Sequence, residues 1–434
     1  MKFNNLRYSF IQKASFGSLV MICLLAVSTI AQEMPTGSLV IVGGGLNSDN
    51  KEVFSEMIRL AGGVEKAVFA VIPAAGSSPV QSFQYYHQAL MRYGIQEENI
   101  RLIKLSLSDD DSTTLVNEAL WKDNAMNPEE VKKIHDATAV WFTGGDQMCI
   151  LQTLVKADGS KSPMLEAVWE VYNKGGMIGG TSAGAAIMSN PMIGRGNSLF
   201  ALTHDTIARF DEILHEDSDT LFITQGLGFF PFGIVDQHFH QRARIGRLIT
   251  TMMIEKKQFH LGFGIDENTA LIYDGKNKQL KVAGASGVTM IDVSNAETSI
   301  IDNFRSVENL NISYLENGDC FDLSTHTIIP ASEKILISVT EKHAYTERFS
   351  SGSLSTYTID FKGLITHRLF DGTNPTSIED LNIIDTQSAY ILRFSKKPET
   401  KAYKNMDAWT INDVRLDIIP AQINIISPKQ IKTK

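Results

Sequence analysis

The stretch Gly175-Gly-Met-Ile-Gly-Gly-Thr-Ser-Ala-Gly-Ala-Ala-Ile-Met188 decides how this chain is read. It is a short apolar strand running into a helix-forming segment through Gly180-Thr181-Ser182-Ala183-Gly184. A G-x-S-x-G of this kind puts one hydroxyl on a turn so tight that the flanking residues must be small. In such an elbow the serine sits on strained backbone and its Oγ stands clear at the head of a sheet. The N–H of the next residue then faces a developing oxyanion. The bare pattern also occurs as a glycine-rich turn without chemistry, so the reading depends on what surrounds it.

Upstream, strands and helices alternate. Apolar strands are predicted at Ser38 to Val42, Ala67 to Ile72, Ile100 to Leu105 and Ala139 to Phe142. Helical spacing is predicted over Asn50 to Leu60, Ser82 to Tyr93 and Pro128 to Asp136. Nearly continuous apolar strands between amphipathic helices predict an α/β fold, a parallel sheet with helices on both faces. The first strand ends in Gly43-Gly44-Gly45, which invites a dinucleotide reading. Ser48 stands where the third glycine of that fingerprint belongs, and no acidic residue closes a strand about 20 residues on. No cofactor is expected.

From about Gly284 the pattern changes to short strands split by polar turns, such as Gly287 to Asp292, Ile312 to Leu315 and Thr327 to Ile329. The tail, residues 331–434, continues that style at Lys334 to Val339, Ser355 to Asp360 and Ser388 to Arg393. It reads as a small β-rich C-terminal extension with nothing catalytic in it.

A chain of 434 residues with 43% hydrophobic and 21% charged residues is ordinary for a globular protein of more than one domain. A formal charge of -9 disfavours a nucleic-acid partner. At the N-terminus Lys2, Arg7 and Lys13 precede the uncharged run Ala14 to Ala31, and Thr29-Ile30-Ala31 offers small residues before polar Gln32-Glu33. That order predicts a secretory signal over residues 1–31 and export to the periplasm or medium. The apolar core is short for crossing ~30 Å of hydrocarbon, so no stable membrane span is expected after its removal. Cys23 lacks the small preceding residues of lipoprotein processing. Cys149 and Cys320 make no disulfide framework, and no C-x-x-C points to zinc.

An elbow serine needs a base, a group that orients the base, and a second oxyanion donor. In Gly233-Ile-Val-Asp-Gln-His-Phe-His-Gln-Arg-Ala-Arg-Ile-Gly-Arg247 an apolar strand ends in Asp236-Gln237-His238, and Arg242, Arg244 and Arg247 follow. A histidine just past a strand's carboxyl end lies at the functional edge of an open sheet, and three arginines so close form an anion-reading cluster. In a strand His238 and His240 would share a face, so Asp236, His238 and His240, with His204-Asp205 nearby, also permit a metal reading. Leu261 to Ile265 is strand-like and ends in Asp266-Glu267, a source of the orienting acid. Trp141-Phe142-Thr-Gly-Gly-Asp-Gln147 is another strand ending in a glycine pair whose N–H groups approach an oxyanion closely.

Together, Thr143-Gly-Gly-Asp-Gln147, Gly180-Thr-Ser-Ala-Gly184, Asp236 to Arg247 and Gly264-Ile-Asp-Glu-Asn-Thr-Ala270 resemble the cyanophycinase branch of peptidase family S51. The likeness runs over roughly residues 37–330, including Gly318-Asp319-x-Phe321-Asp322-Leu323. It implies a fold like the class I glutamine amidotransferases, flavodoxin-like, without the cysteine nucleophile and His-x-Glu of those enzymes. It implies Ser182 as nucleophile, His238 as general base and Glu267 as orienting acid. The N–H groups of Ala183, Gly144 and Gly145 would hold the oxyanion. Gln147, Asp236, Gln237, Arg242, Arg244 and Arg247 would line the substrate pocket. The implied substrate is cyanophycin, poly-aspartate bearing arginine on its β-carboxyls, cut to β-aspartyl-arginine dipeptides. Peptidases for other acidic or isoaspartyl peptides, and a non-catalytic binding protein on the same fold, fit the same residues. The sequence does not decide between a monomer and a homodimer.

Overall fold

The alternating pattern produces strands and helices in the expected order: β1 (Ser38–Val42), α1 (Lys51–Leu60), β2 (Phe69–Ile72), α2 (Pro79–Arg92), β3 (Ile100–Leu102), α3 (Pro128–His135), β4 (Ala139–Phe142), α4 (Gln147–Leu154), α5 (Pro163–Asn173) and β5 (Met177–Thr181). The computed structural model describes residues 35–204, 219–337, 350–354, 361–370 and 375–424. The signal-like residues 1–31, with Cys23, and the expected strand at Ser355 to Asp360 lie outside these. Helix α2 begins at Pro79 rather than Ser82, because proline at the first helical turn loses no N–H that the helix would use. Asn50 caps α1 through the Val53 N–H and Ser162 caps α5 through the Leu165 N–H.

Beyond β5 the chain continues through α6 (Ala183–Ala186), β6 (Met192–Arg195), α7 (Ser198–Thr203), β7 (Phe222–Thr224), β8 (Ile234–Asp236), α8 (Ile245–Ile254), β9 (Leu261–Ile265), β10 (Thr269–Asp274), β11 (Gln279–Gly284), β12 (Gly287–Asp292), β13 (Glu297–Ile301), β14 (Phe304–Glu316), β15 (Cys320–Asp322) and β16 (Thr327–Ile329). The C-terminal region adds β17 (Ile335–Leu336), β18 (Ser350–Ser351), a helical turn over residues 361–370, β19 (Ser377–Ile383), β20 (Ser388–Asn405) and β21 (Ala408–Gln422).

The first sheet runs β16-β15-β11-β10-β1-β5-β4-β2-β3. Its half from β1 to β3 is parallel, and β10, β11, β15 and β16 extend it antiparallel. Both faces of the parallel half are covered. Val40 and Val42 pack with Phe54 and Met57 of α1 and with Tyr86 and Leu90 of α2. The alternate residues Leu39 and Ile41 are buried as completely. The second sheet runs β18-β19-β20-β21-β14-β12-β9-β8. The β-rich tail is built into it, since the hairpin β20–β21 pairs through β21 with β14, and through β12 with β9 and β8. The two sheets face one another across Phe263, Leu271, Val282, Val288, Leu315 and Phe321.

Cys149 and Cys320 are not joined by a disulfide. Among the described residues no helix is long and apolar enough to cross a membrane.

Candidate active site

Ser182 joins β5 to α6 at φ +55°, a conformation L residues avoid and one that costs roughly 1–3 kcal/mol. Its neighbours explain why only glycine fits the elbow. A Cβ at Gly180 would lie 2.5 Å from the carbonyl oxygen of Gly184, and one at Gly184 would lie 2.5 Å from that of Phe142. The Ser182 N–H donates to the Val42 carbonyl at 3.0 Å, which ties the turn to the end of β1.

His238 also has a positive φ, +45°, two residues beyond the end of β8. Its imidazole is held on both nitrogens, Nε2 at 2.8 Å from Ser182 Oγ and Nδ1 at 2.5 Å from Glu267 Oε1. Glu267 follows β9, and its own N–H donates to Gln241 Oε1 at 3.1 Å. The serine therefore comes from the first sheet and the His–Glu pair from the end of the second. Burial pushes the His238 pKa down, and the charges of Arg242 and Arg244 push the same way, while the hydrogen bond to Glu267 acts against them. The imidazole is thus kept neutral and able to accept a proton.

The triple glycine after β1 belongs to this site. Gly44, at φ +109°, leaves space in which a Cβ would lie 2.2 Å from His238 Cε1. A Cβ at Gly45 would lie 3.3 Å from Glu267 Oε2, and the Gly43 carbonyl accepts from the His238 N–H at 2.6 Å. The loop is a cradle for the His–Glu pair. Its sequence signal, three glycines closing the first strand, is visible, but its partners lie about two hundred residues away.

Gly144 and Gly145 stand beside the serine. A Cβ at Gly144 would lie 3.3 Å from Ser182 Cβ, and Gly145, at φ +143°, passes so near Ala75 that a Cβ would lie 2.0 Å from its carbonyl oxygen. Among the described residues the N–H groups of Gly144, Gly145 and Ala183 have no protein acceptor. Asp146 caps α4 by accepting from the Met148 N–H at 2.8 Å, and Gln147 Nε2 donates to the Gly194 carbonyl.

A polar cleft of about 420 Å³ opens at Ser182 and is walled by Gln147, Gln237, Arg242, Arg244 and Arg247. Of the residues expected to line it, Asp236 does not. It is 1% exposed and held by Arg247, whose Nε donates to Oδ2 at 2.8 Å and whose Nη2 donates to Oδ1 at 2.5 Å. A carboxylate so enclosed stays paired, because separating the two would strand a charge in the interior. Arg244 Nη1 donates to the Gln237 carbonyl at 2.7 Å, and burial, then the charge of Arg247, pushes its guanidinium well below the usual range. Arg242 is exposed and makes no ion pair among the described residues. The cluster thus divides into a structural arginine, a half-committed one and an uncommitted one.

Arg195, which closes β6, also lines the cleft and pairs with Asp146 Oδ2 at 3.3 Å. Gly194, Gly196, Asn197 and Asp219 complete the wall. None of these carries a motif, and only the docking of β6 beside the elbow brings them in.

Among the described residues the strand-face pairing that a metal reading needs is not formed. β8 ends at Asp236, so His238 and His240 do not share a strand face. His240 Nδ1 lies 2.7 Å from Asp266 Oδ1. Asp266 is itself buried, accepting also from Ser286 Oγ, the Gly287 N–H and Tyr314 Oη at 2.9, 3.2 and 3.1 Å. His204 stacks on Phe200, and Asp205 lies outside the described residues.

The chain is 29% identical over 302 residues to a cyanophycinase of Synechococcus elongatus, a match spanning 67% of this chain and 81% of that one. It is 28% identical over 296 residues to a cyanophycinase of Geminocystis herdmanii, spanning 67% and 94%. Among solved structures, that of a peptidase from an acI-B1 Actinobacterium is similar, with 19% identity and a TM-score of 0.44 over 67% of this chain and 98% of that one. The model of peptidase family S51 matches residues 39–281, the span that holds the elbow, the arginine cluster and the glutamate, and the chain belongs to that family of serine-type peptidases.

Proposed function

We propose that this protein is an exported exopeptidase that hydrolyses cyanophycin to β-aspartyl-arginine dipeptides, with Ser182, His238 and Glu267 as its triad. The observation that carries the reading is the relay from Ser182 Oγ through the His238 ring to Glu267, opening on a cleft walled by arginines. The similar cyanophycinases add the substrate class.

His238 Nε2 takes the Ser182 proton as Oγ attacks an α-carbonyl of the poly-aspartate backbone. Glu267, bonded at Nδ1, holds the ring in the tautomer that leaves Nε2 free to accept, and it stabilises the imidazolium that forms. The N–H groups of Ala183 and of the Gly144–Gly145 pair receive the developing oxyanion, and each such donor is worth on the order of 100- to 1000-fold in rate. His238 then returns the proton to the leaving amine, and water releases the acyl-enzyme by the same route in reverse. Arg242, uncommitted at the cleft mouth, is the group available to a substrate carboxylate. Asp146, shared with Arg195, is the acid available to the substrate's guanidinium.

The test is to incubate the mature chain and Ser182→Ala with purified cyanophycin and follow β-Asp-Arg by mass spectrometry. Release by the parent and not by the variant supports reaction, nucleophile and substrate together. No release from a folded parent that still labels with a fluorophosphonate at Ser182 would move the substrate to another acidic or isoaspartyl peptide. Export rests on the signal-like residues 1–31, and fractionation of producing cells decides it.

A further inference from the structure

We infer that the C-terminal region beyond residue 331 acts on the substrate cleft, and that Tyr390 on β20 is its positioning residue. The region lies outside the family match, and among the described residues no hydrogen bond joins it to the triad, so a route is needed. The structure contains one. Tyr390 is fully buried, and its Oη donates to the Leu202 carbonyl of α7 at 2.7 Å. Helix α7 follows directly on Gly196 and Asn197, which wall the cleft. At the other end of α7, Ser198 Oγ donates to the Ala243 carbonyl and accepts from the Gly246 and Arg247 N–H groups at 2.9 and 3.3 Å.

The contact between α7 and α8 leaves little play. A Cβ at Gly246 would lie 2.8 Å from Ser198 Cβ and 2.9 Å from Leu202 Cδ1, so the helices meet backbone to side chain. Ala201, Leu202 and Leu248 share one apolar cluster with Tyr390, Phe394 and Leu416 of the C-terminal hairpin. Arg247 Nη1 in turn donates to the Gly196 carbonyl at 2.8 Å, closing a loop of contacts around the cleft wall. The hairpin therefore backs the helix whose N-terminus sets where Gly196, Asn197 and Arg247 stand. The loop holds no atom of His238 or Glu267 and reaches the end of β8 only through the Arg247–Asp236 pair.

The inference takes the substrate from the proposed function, and the experiment separates the two. Tyr390→Phe keeps the ring and removes the bond to Leu202. Thr400→Val removes another buried hydroxyl, one bonded to the Asp413 carbonyl within the hairpin, and serves as the control. The expected result is a KM for Tyr390→Phe raised about three- to tenfold, the factor one lost hydrogen bond carries, with kcat within about twofold of the parent. Thr400→Val should leave KM at the parent value. A parental KM in Tyr390→Phe, or an equal rise in both variants, overturns the role. Hydrogen exchange serves as the readout that needs no substrate. Faster exchange at Leu199 to Thr203 and at Ile245 to Leu248 in Tyr390→Phe, with Phe263 to Ile265 unchanged, supports the role, and unchanged exchange there overturns it. Should the parent not act on cyanophycin, the proposed function fails and hydrogen exchange alone decides this one.

Discussion

The two halves of the site are built in opposite ways. The serine half is made by its own neighbours. Gly180 and Gly184 leave room for the turn, and the Ser182 N–H bond to the Val42 carbonyl anchors it. The His–Glu half is made almost wholly by distant residues: the glycines after β1 cradle it, Gln241 orients Glu267, and Arg247 locks the base of β8. A strained serine turn can be specified locally because the strain lies in one residue's dihedrals. A proton relay cannot, since its members must meet within a few tenths of an ångström from different sheets.

The largest effect is expected on removing the proposed nucleophile. Ser182→Ala should lower kcat by about a millionfold and leave the melting temperature unchanged or raised, since the variant keeps every glycine of the elbow. A residual rate within tenfold of the parent would mean that the elbow is a turn and nothing more.

Arg247→Ala tests the distant half. It takes both Arg247 bonds from the buried Asp236 and leaves Arg244 Nη1 3.8 Å away, and should cost about 3–5 kcal/mol of unfolding free energy by denaturant titration. A loss below about 1 kcal/mol, the range of surface pairs, would show that water reaches Asp236 and that the lock is not a lock.

Gly44→Ala puts a methyl group where the imidazole ring lies and forces alanine to a positive φ. Displacing the imidazole by about an ångström should cost on the order of 100-fold in kcat, read by steady-state kinetics. Parental kcat would remove the glycine loop from the site.

The smallest effect sharpens the electrostatics. Burial lowers the His238 pKa, and Arg242 lowers it further. Removing that charge in Arg242→Gln lets the imidazolium form at higher pH. The acidic limb of kcat/KM, where His238 as the proposed base must be unprotonated, should therefore move toward higher pH. A shift toward lower pH would contradict the sign.

How much of this was legible depends on the range of each contact. The elbow, the parallel strands and the strand-end positions of His238 and Glu267 were readable, because each is a local pattern of glycines, apolar runs and a polar residue at a strand's end. The three arginines were readable as a cluster but not as three different jobs. Only the fold commits Arg247 to Asp236, leans Arg244 on Gln237 and leaves Arg242 open. Asp236 was misplaced for the same reason, since a carboxylate in a motif looks free until its partner is known. From the sequence, the glycine triplet reads only as an incomplete dinucleotide fingerprint. Its actual neighbour, His238, is remote in sequence. Arg195 had no signal at all.

Local sequence specifies the chemistry on offer: a hydroxyl on a strained turn, an imidazole and a carboxylate at strand ends, and glycines where only glycine fits. These follow from short-range sterics and from the period of apolar residues. The tertiary structure decided which of those groups meet. It also decided which charges are spent on one another and how the C-terminal hairpin reaches the cleft through α7. Those outcomes depend on packing and desolvation, which act between residues that the chain itself keeps far apart.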